Sequence, residues 1–105
     1  YWSNVWNNDA KGWCACYWGG RPAETMMFSA AYVAESKWND TSWKTTDSAV
    51  KFNQLVKDAR KELDENKKRD ILFECQRLIY DDGGLLCPLF NSYVSANSKK
   101  LRMAK

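Results

Sequence analysis

The stretch Gly12-Trp13-Cys14-Ala15-Cys16-Tyr17-Trp18-Gly19-Gly20-Arg21-Pro22 sets the class of fold expected of this chain. Its first seven residues are short in span and rich in strand formers, so they read as a strand. Gly19 and Gly20 then release the backbone. Pro22 can stand at the first helical position, where no N–H is needed, and Glu24 falls in the first turn, where its charge suits the helix dipole. A strand followed by a helix over Pro22 to about Ala34 is the expectation. Backbone N–H groups are exposed at such a junction. The Trp18 indole and the Arg21 guanidinium flank it, which gives two readings. One is a ligand edge of stacking surface and fixed charge; the other is a structural turn with a core tryptophan and a surface arginine.

Working outward, Asn7-Asn8-Asp9 marks a turn before the strand. Residues 35–47 form an irregular stretch around Lys37-Trp38-Asn39-Asp40-Thr41-Ser42-Trp43, in which Asn39 and Asp40 favour side-chain-to-backbone bonds. Two tryptophans on such a loop either pack or bind. Thr46 or Asp47 can cap the next helix. Phe52, Leu55, Val56, Ala59 and Leu63 make its apolar stripe at 3.6-residue spacing. Asp64 can end that helix and cap the following one, whose stripe is Ile71, Leu72, Cys75, Leu78 and Ile79. Glu65 and Arg69 are ordered favourably at i,i+4. Gly83-Gly84 stop this helix, one of them in the left-handed conformation. Leu85-Leu86-Cys87 reads as a short buried strand, Pro88 breaks its ladder or sits at its edge, and 89–96 continue as an extended segment.

The resulting fold class is α+β, a helical hairpin with a few short strands. The parts are an aromatic strand and junction over 1–22, a short helix and loop over 23–47, the hairpin over 48–82 and a terminal extended segment over 83–105. They make up one domain, or part of one.

The composition bounds function. Of the 105 residues 45% are hydrophobic and 28% charged, the balance of a globular chain. All six tryptophans fall within the first 43 residues, so that part is either an aromatic core or a binding surface. The net charge is +3, with Lys99, Lys100, Arg102 and Lys105 in a modest basic tail. The aromatics are not interleaved with Lys and Arg, so a nucleic-acid partner is not expected. Histidine is absent, which removes the commonest general base and metal ligand. The acids cluster on helix surfaces and Cys14 and Cys16 lack an evident base. Neither a catalytic site, a metal site nor a cofactor is therefore assigned, and no enzyme is expected. The spacing of Cys14, Cys16, Cys75 and Cys87 matches neither a zinc ribbon nor a redox pair nor a secreted framework. Buried free thiols are the default reading, with a pair linking the first strand to a later segment as the alternative. No apolar run is long enough for membrane insertion. The aromatic start at Tyr1, without methionine or leader, is read as that of a processed or truncated chain.

The ordered series Tyr17-Trp18-Gly19-Gly20-Arg21-Pro22, Trp38-Asn39-Asp40-Thr41-Ser42-Trp43, Phe52-Asn53-Gln54-Leu55-Val56, Ala59-Arg60-Lys61-Glu62-Leu63-Asp64, Gln76-Arg77-Leu78-Ile79, Asp82-Gly83-Gly84 and Pro88-Leu89-Phe90 resembles the C-terminal part of the family 5 extracellular solute-binding proteins. These are the dipeptide/oligopeptide-type receptors of bacterial ABC importers. The resemblance covers essentially the whole chain and implies a fragment of a periplasmic-binding-protein-like fold (type II, cluster C). Members are several times longer and enclose the ligand between two lobes. It further implies a periplasmic or extracellular parent, an ABC permease as the parent's partner, and a ligand site near Trp18, Gly19, Gly20 and Arg21, with Trp38 beside it. In peptide-binding relatives an aspartate shortly after the tryptophan grips the ligand's amino group. Arg21 stands about where that aspartate falls, so a peptide with an anionic end, or another anionic small molecule, is the implied ligand.

Enclosing a ligand takes two walls and this chain supplies at most one, so binding by the chain alone is not expected. Missing neighbours would expose strand edges and apolar faces around Phe52 and Leu72. A homodimer is the simplest closed arrangement. The alternative function is a structural or protein-interaction module that self-associates and has no transport role.

Overall fold

A computed structural model describes residues 1–6, 12–39, 41–96 and 98. It contains three helices, α1 over Glu24–Ala31, α2 over Asp47–Lys61 and α3 over Glu65–Asp82, and no strand among the described residues. The α+β expectation is therefore corrected to an all-α fold. The likeness to family 5 solute-binding proteins falls with it, because their periplasmic-binding-protein-like fold is built on β-sheets. The resemblance thus carries no solute-binding, peptide-transport or ABC-importer role to this chain, and no periplasmic setting. The physical reason lies in the two segments read as strands. Strand propensity records how well a side chain fits a pleated surface that other strands supply. Residues 12–20 and 85–96 have that composition but form no ladder here.

The helices follow from local chemistry. Thr46 accepts a bond from the Ala49 amide at 3.3 Å and so caps α2. Asp64 accepts from the amides of Asn66 (2.9 Å) and Lys67 (3.1 Å) and caps α3. Arg60 and Lys61 lie in the last turn of α2, where cations suit the helix dipole. Gly83 ends α3, its amide donating to the Ile79 carbonyl at 2.9 Å. A Cβ at Gly83 would come within 2.6 Å of that carbonyl oxygen, and Gly84 takes φ +66, so two glycines are required there. The first helix is shorter than the expected span to Ala34. It is flanked by Ala23, which supplies no side-chain cap bond, and by Tyr32.

The second helix lies between the other two and carries the centre of the core. Ala49, Phe52, Val56 and Ala59 face inward from α2, Cys75, Leu78 and Ile79 from α3, and Phe28 and Ala31 from α1. Phe52 meets Phe28 edge-on at 5.6 Å between ring centroids, and Trp43 at 5.2 Å. Leu55, Ile71 and Leu72 of the expected stripes pack against this core while remaining partly buried. One residue departs: Leu63, in the turn after α2, is 92% exposed. Burial pushes the Cys75 thiol up to about 11, with the charge of Glu74 adding to the effect. Cys16 and Cys87 are exposed and Cys14 is half-buried, so the default of buried thiols holds only at Cys75.

The radius of gyration is 16.9 Å, against about 13 Å for a close-packed domain of this length. Of the flanking segments, Trp18 packs against the edge of the core, while the side chains of 86–94 are largely exposed.

Candidate functional site

The Trp18–Arg21 junction is held by its own side chains. The Arg21 guanidinium lies 5.9 Å from the Trp18 ring centroid, a cation–π arrangement. Its Nη1 donates to the carbonyls of Gly19 (2.8 Å) and Gly20 (3.3 Å). That nitrogen is engaged with the turn, where a ligand carboxylate would need it. Trp18 packs against the edge of the core, while Gly19, Gly20 and Arg21 are exposed. Trp38 stands on the separate loop after α1, half-exposed, with the Lys37 ammonium 4.7 Å above its ring. Trp18 and Arg21 are thus joined across the Gly19-Gly20 turn, and the contact seen at the Trp38 ring is with Lys37.

The two most evident depressions are elsewhere. One, of about 440 Å³, runs between the start of α1 and the start of α3, past Glu24, Glu65, Arg69, Leu72 and Phe73. The other, of about 420 Å³, lies at the end of α2 beside Asp58, Lys61, Glu62 and Leu63. Both are shallow and mix both signs of charge. Among the described residues no cluster of His, Cys, Asp or Glu could hold a metal ion, and no helix is long and apolar enough to cross a membrane.

Two polar constellations lie outside the expected site, one at Asn39, where the side-chain-to-backbone bonds expected from the sequence form, and one that the sequence did not point to. Asn39 is fully buried in the loop after α1. Its Nδ2 faces the carbonyls of Tyr32 (3.2 Å), Val33 (3.2 Å) and Trp43 (3.4 Å), and its Oδ1 accepts from the Thr41 amide (3.2 Å) and hydroxyl (2.9 Å). The loop is thus wrapped around one amide. The turn propensity of Asn39 was legible; its burial was not.

The second constellation is centred on Asp82, the last residue of α3. Its Oδ2 accepts from Trp43 Nε1 (3.0 Å), from the Thr46 hydroxyl (3.1 Å) and from the Ser48 hydroxyl. These donations from Ser48, Trp43 and Thr46 hold its carboxyl below the ordinary 3.8. Two turns earlier on α3, Arg77 and then Lys51 hold Glu74 down to about 2, through contacts of 2.8 Å and 2.6 Å. A carboxylate depressed in the folded state contributes stability that is present above its unfolded pKa and is lost as pH falls through the folded one. The fold is therefore expected to lose stability below about pH 4. Asp82→Asn should flatten that decline in thermal melts recorded from pH 5 to 2, leaving the share due to Glu74. An unchanged acid limb would show that the Asp82 contacts do not persist in solution.

The exposed apolar surface is concentrated outside the helices. Residues 83–96 contain no charged side chain. Within them Leu86, Phe90, Tyr93 and Val94 are 88–94% exposed and Leu89 is 64% exposed. Residues 12–20 are likewise uncharged, with Trp13 and Tyr17 more than four-fifths exposed. The two arms approach at one point. A Cβ at Gly20 would lie 2.6 Å from the Tyr93 hydroxyl, so the tyrosine side chain reaches the glycine backbone of the junction. The basic tail at Lys99, Lys100, Arg102 and Lys105, the turn at Asn7-Asn8-Asp9 and Asp40 lie outside the described residues. No family model, curated protein or solved structure matches this chain.

Proposed function

We propose that this chain is a protein-interaction module that associates with itself, its helices serving as scaffold and its two uncharged arms as the binding surface. The observation that carries this reading is the apolar run 85–94. It exposes six large apolar side chains with no charge to keep them in water. A contiguous exposed apolar patch of this kind marks an interaction surface in soluble proteins. Its aromatic content is that of interface cores, in which charged residues are depleted.

Sedimentation of the chain in reducing buffer over a concentration series tests it. The expected result is a reversible rise from monomer to dimer. Placing a charge in the run, as Phe90→Asp, should weaken association by about ten- to a hundred-fold, the cost of leaving one aromatic side chain out of the interface. A monomer at every concentration would overturn the proposal. So would a Phe90→Asp variant that associates as well as the parent chain.

A further inference from the structure

Independently of self-association, we infer that residues 85–105 anchor this chain to the surface of an anionic lipid bilayer. The apolar side chains of 85–94 enter at headgroup depth, and the cations of 99–105 meet the lipid phosphates.

Two features of the segment after α3 carry this, and they are adjacent in sequence. Leu86, Phe90, Tyr93 and Val94 are 88–94% exposed, with Leu89 beside them at 64%. Leucines and aromatic rings are the side chains that enter a bilayer interface. Lys99, Lys100, Arg102 and Lys105 follow, and no acidic residue stands after Asp82. A basic cluster with no acid beside it is drawn to anionic headgroups. Self-association uses the first feature and leaves the second idle. A second copy would cover the apolar run but bring the same four cations with it. An anionic bilayer answers both at once.

Length and backbone agree with a surface position. The uncharged run 85–94 is far shorter than the approximately 20 residues that a spanning helix needs. Among the described residues, no backbone amide of 85–96 donates to a backbone carbonyl. Such a segment is excluded from the hydrocarbon core but is tolerated at headgroup depth, where water still reaches the backbone. One weak signal gives only marginal membrane binding, whereas an apolar insertion joined to a basic patch holds. Each Lys or Arg near an anionic surface strengthens binding by about five-fold, and salt screens that gain.

The test follows flotation of the intact chain, in reducing buffer, with vesicles of phosphatidylcholine alone or of phosphatidylcholine with phosphatidylserine. Binding to the phosphatidylserine vesicles is expected to be about ten-fold tighter than to the neutral ones, and to weaken as salt is raised. Phe90→Ser should weaken it about ten-fold, and Leu86→Ser repeats the comparison at a second exposed position. Lys99→Gln combined with Lys100→Gln should weaken it by about ten- to thirty-fold. The helical circular dichroism signal reports that the core is intact in every variant. Cys87 lies within the run and is exposed, whereas Cys75 is buried. In a chain carrying Cys14→Ser and Cys16→Ser, phosphatidylserine vesicles should therefore suppress alkylation of Cys87 by iodoacetamide. No binding, equal binding to both kinds of vesicle, or binding that Phe90→Ser and Leu86→Ser leave unchanged would overturn the anchor. So would a Cys87 thiol that alkylates equally fast with and without vesicles. A dimer that phosphatidylserine vesicles do not draw apart would overturn it and assign the run to a second copy. Sedimentation without lipid decides self-association, so the two readings fail separately.

Discussion

Phe52→Ala is expected to leave this chain largely unfolded at room temperature. Phe52 has no exposed surface and touches both Phe28 and Trp43. It is the side chain through which α2 meets α1 and the loop ahead of α2. Removing it forfeits the transfer energy of the ring and leaves a cavity that its neighbours only partly fill, at a cost of about 3–5 kcal/mol. A small domain has about 5 kcal/mol or somewhat more to lose. The core here is small: α1 has only eight residues, and among the described residues of 12–20 and 84–96 the only hydrophobic side chain packed against the core is Trp18. Urea titration followed at the helical dichroism band measures the effect. A loss under about 1 kcal/mol would mean that the three aromatic rings do not pack as described.

Asn39→Ala is expected to cost about 2–4 kcal/mol for a different reason: it strands polar groups. The Asn39 amide group faces three carbonyls and its oxygen takes two donors from Thr41. Alanine would leave several of these groups buried without a partner. Asn39→Asp is the sharper variant. It keeps the shape and the acceptor but loses the donor, and it sets a charge facing the carbonyls of Tyr32, Val33 and Trp43. Thermal melts of both variants should show the aspartate at least as destabilising as the alanine. Melting points unchanged in both would mean that the loop does not wrap around this side chain.

The parts of this fold that were legible in the sequence are those fixed by nearby residues. The spacing of Phe52, Val56 and Ala59, and of Cys75, Leu78 and Ile79, repeats with the helical period. Thr46, Asp64 and the Gly83-Gly84 pair are chemically suited to begin or end a helix. Leu63 shows where periodicity misleads. It continues the stripe in sequence, but Glu62 has already left the helical conformation at ψ 127, so its side chain turns to solvent. The sequence misled most at Trp13 to Trp18 and Leu85 to Val94. Their composition is that of strands, but a strand exists only where something pairs with it, and no property of the segment itself supplies the neighbour. The junction was legible as a turn carrying Trp18 and Arg21. The folding of the guanidinium onto the Gly19 and Gly20 carbonyls was not, because it depends on a rotamer. Asp82 was read as part of a helix end; its bonds to Trp43, Thr46 and Ser48 span more than thirty positions and leave no local trace.

Those same bonds change how the helical hairpin can come apart. Helices ordinarily open from their free ends, and such local openings are the cheapest fluctuations available to a fold. In α2 and α3 neither end is free. The short turn at Glu62 to Asp64 joins one pair of ends covalently, and the Asp82 carboxylate clasps the other pair, so the hairpin is a closed ring. Local opening from those ends is therefore expected to cost more than at a free helix end. The eight-residue α1 has no side-chain clasp at its start and can open by itself. The molecule thus divides into a hairpin that opens as one unit and a short helix that can open first. Acid, by releasing the clasp, would merge the two behaviours.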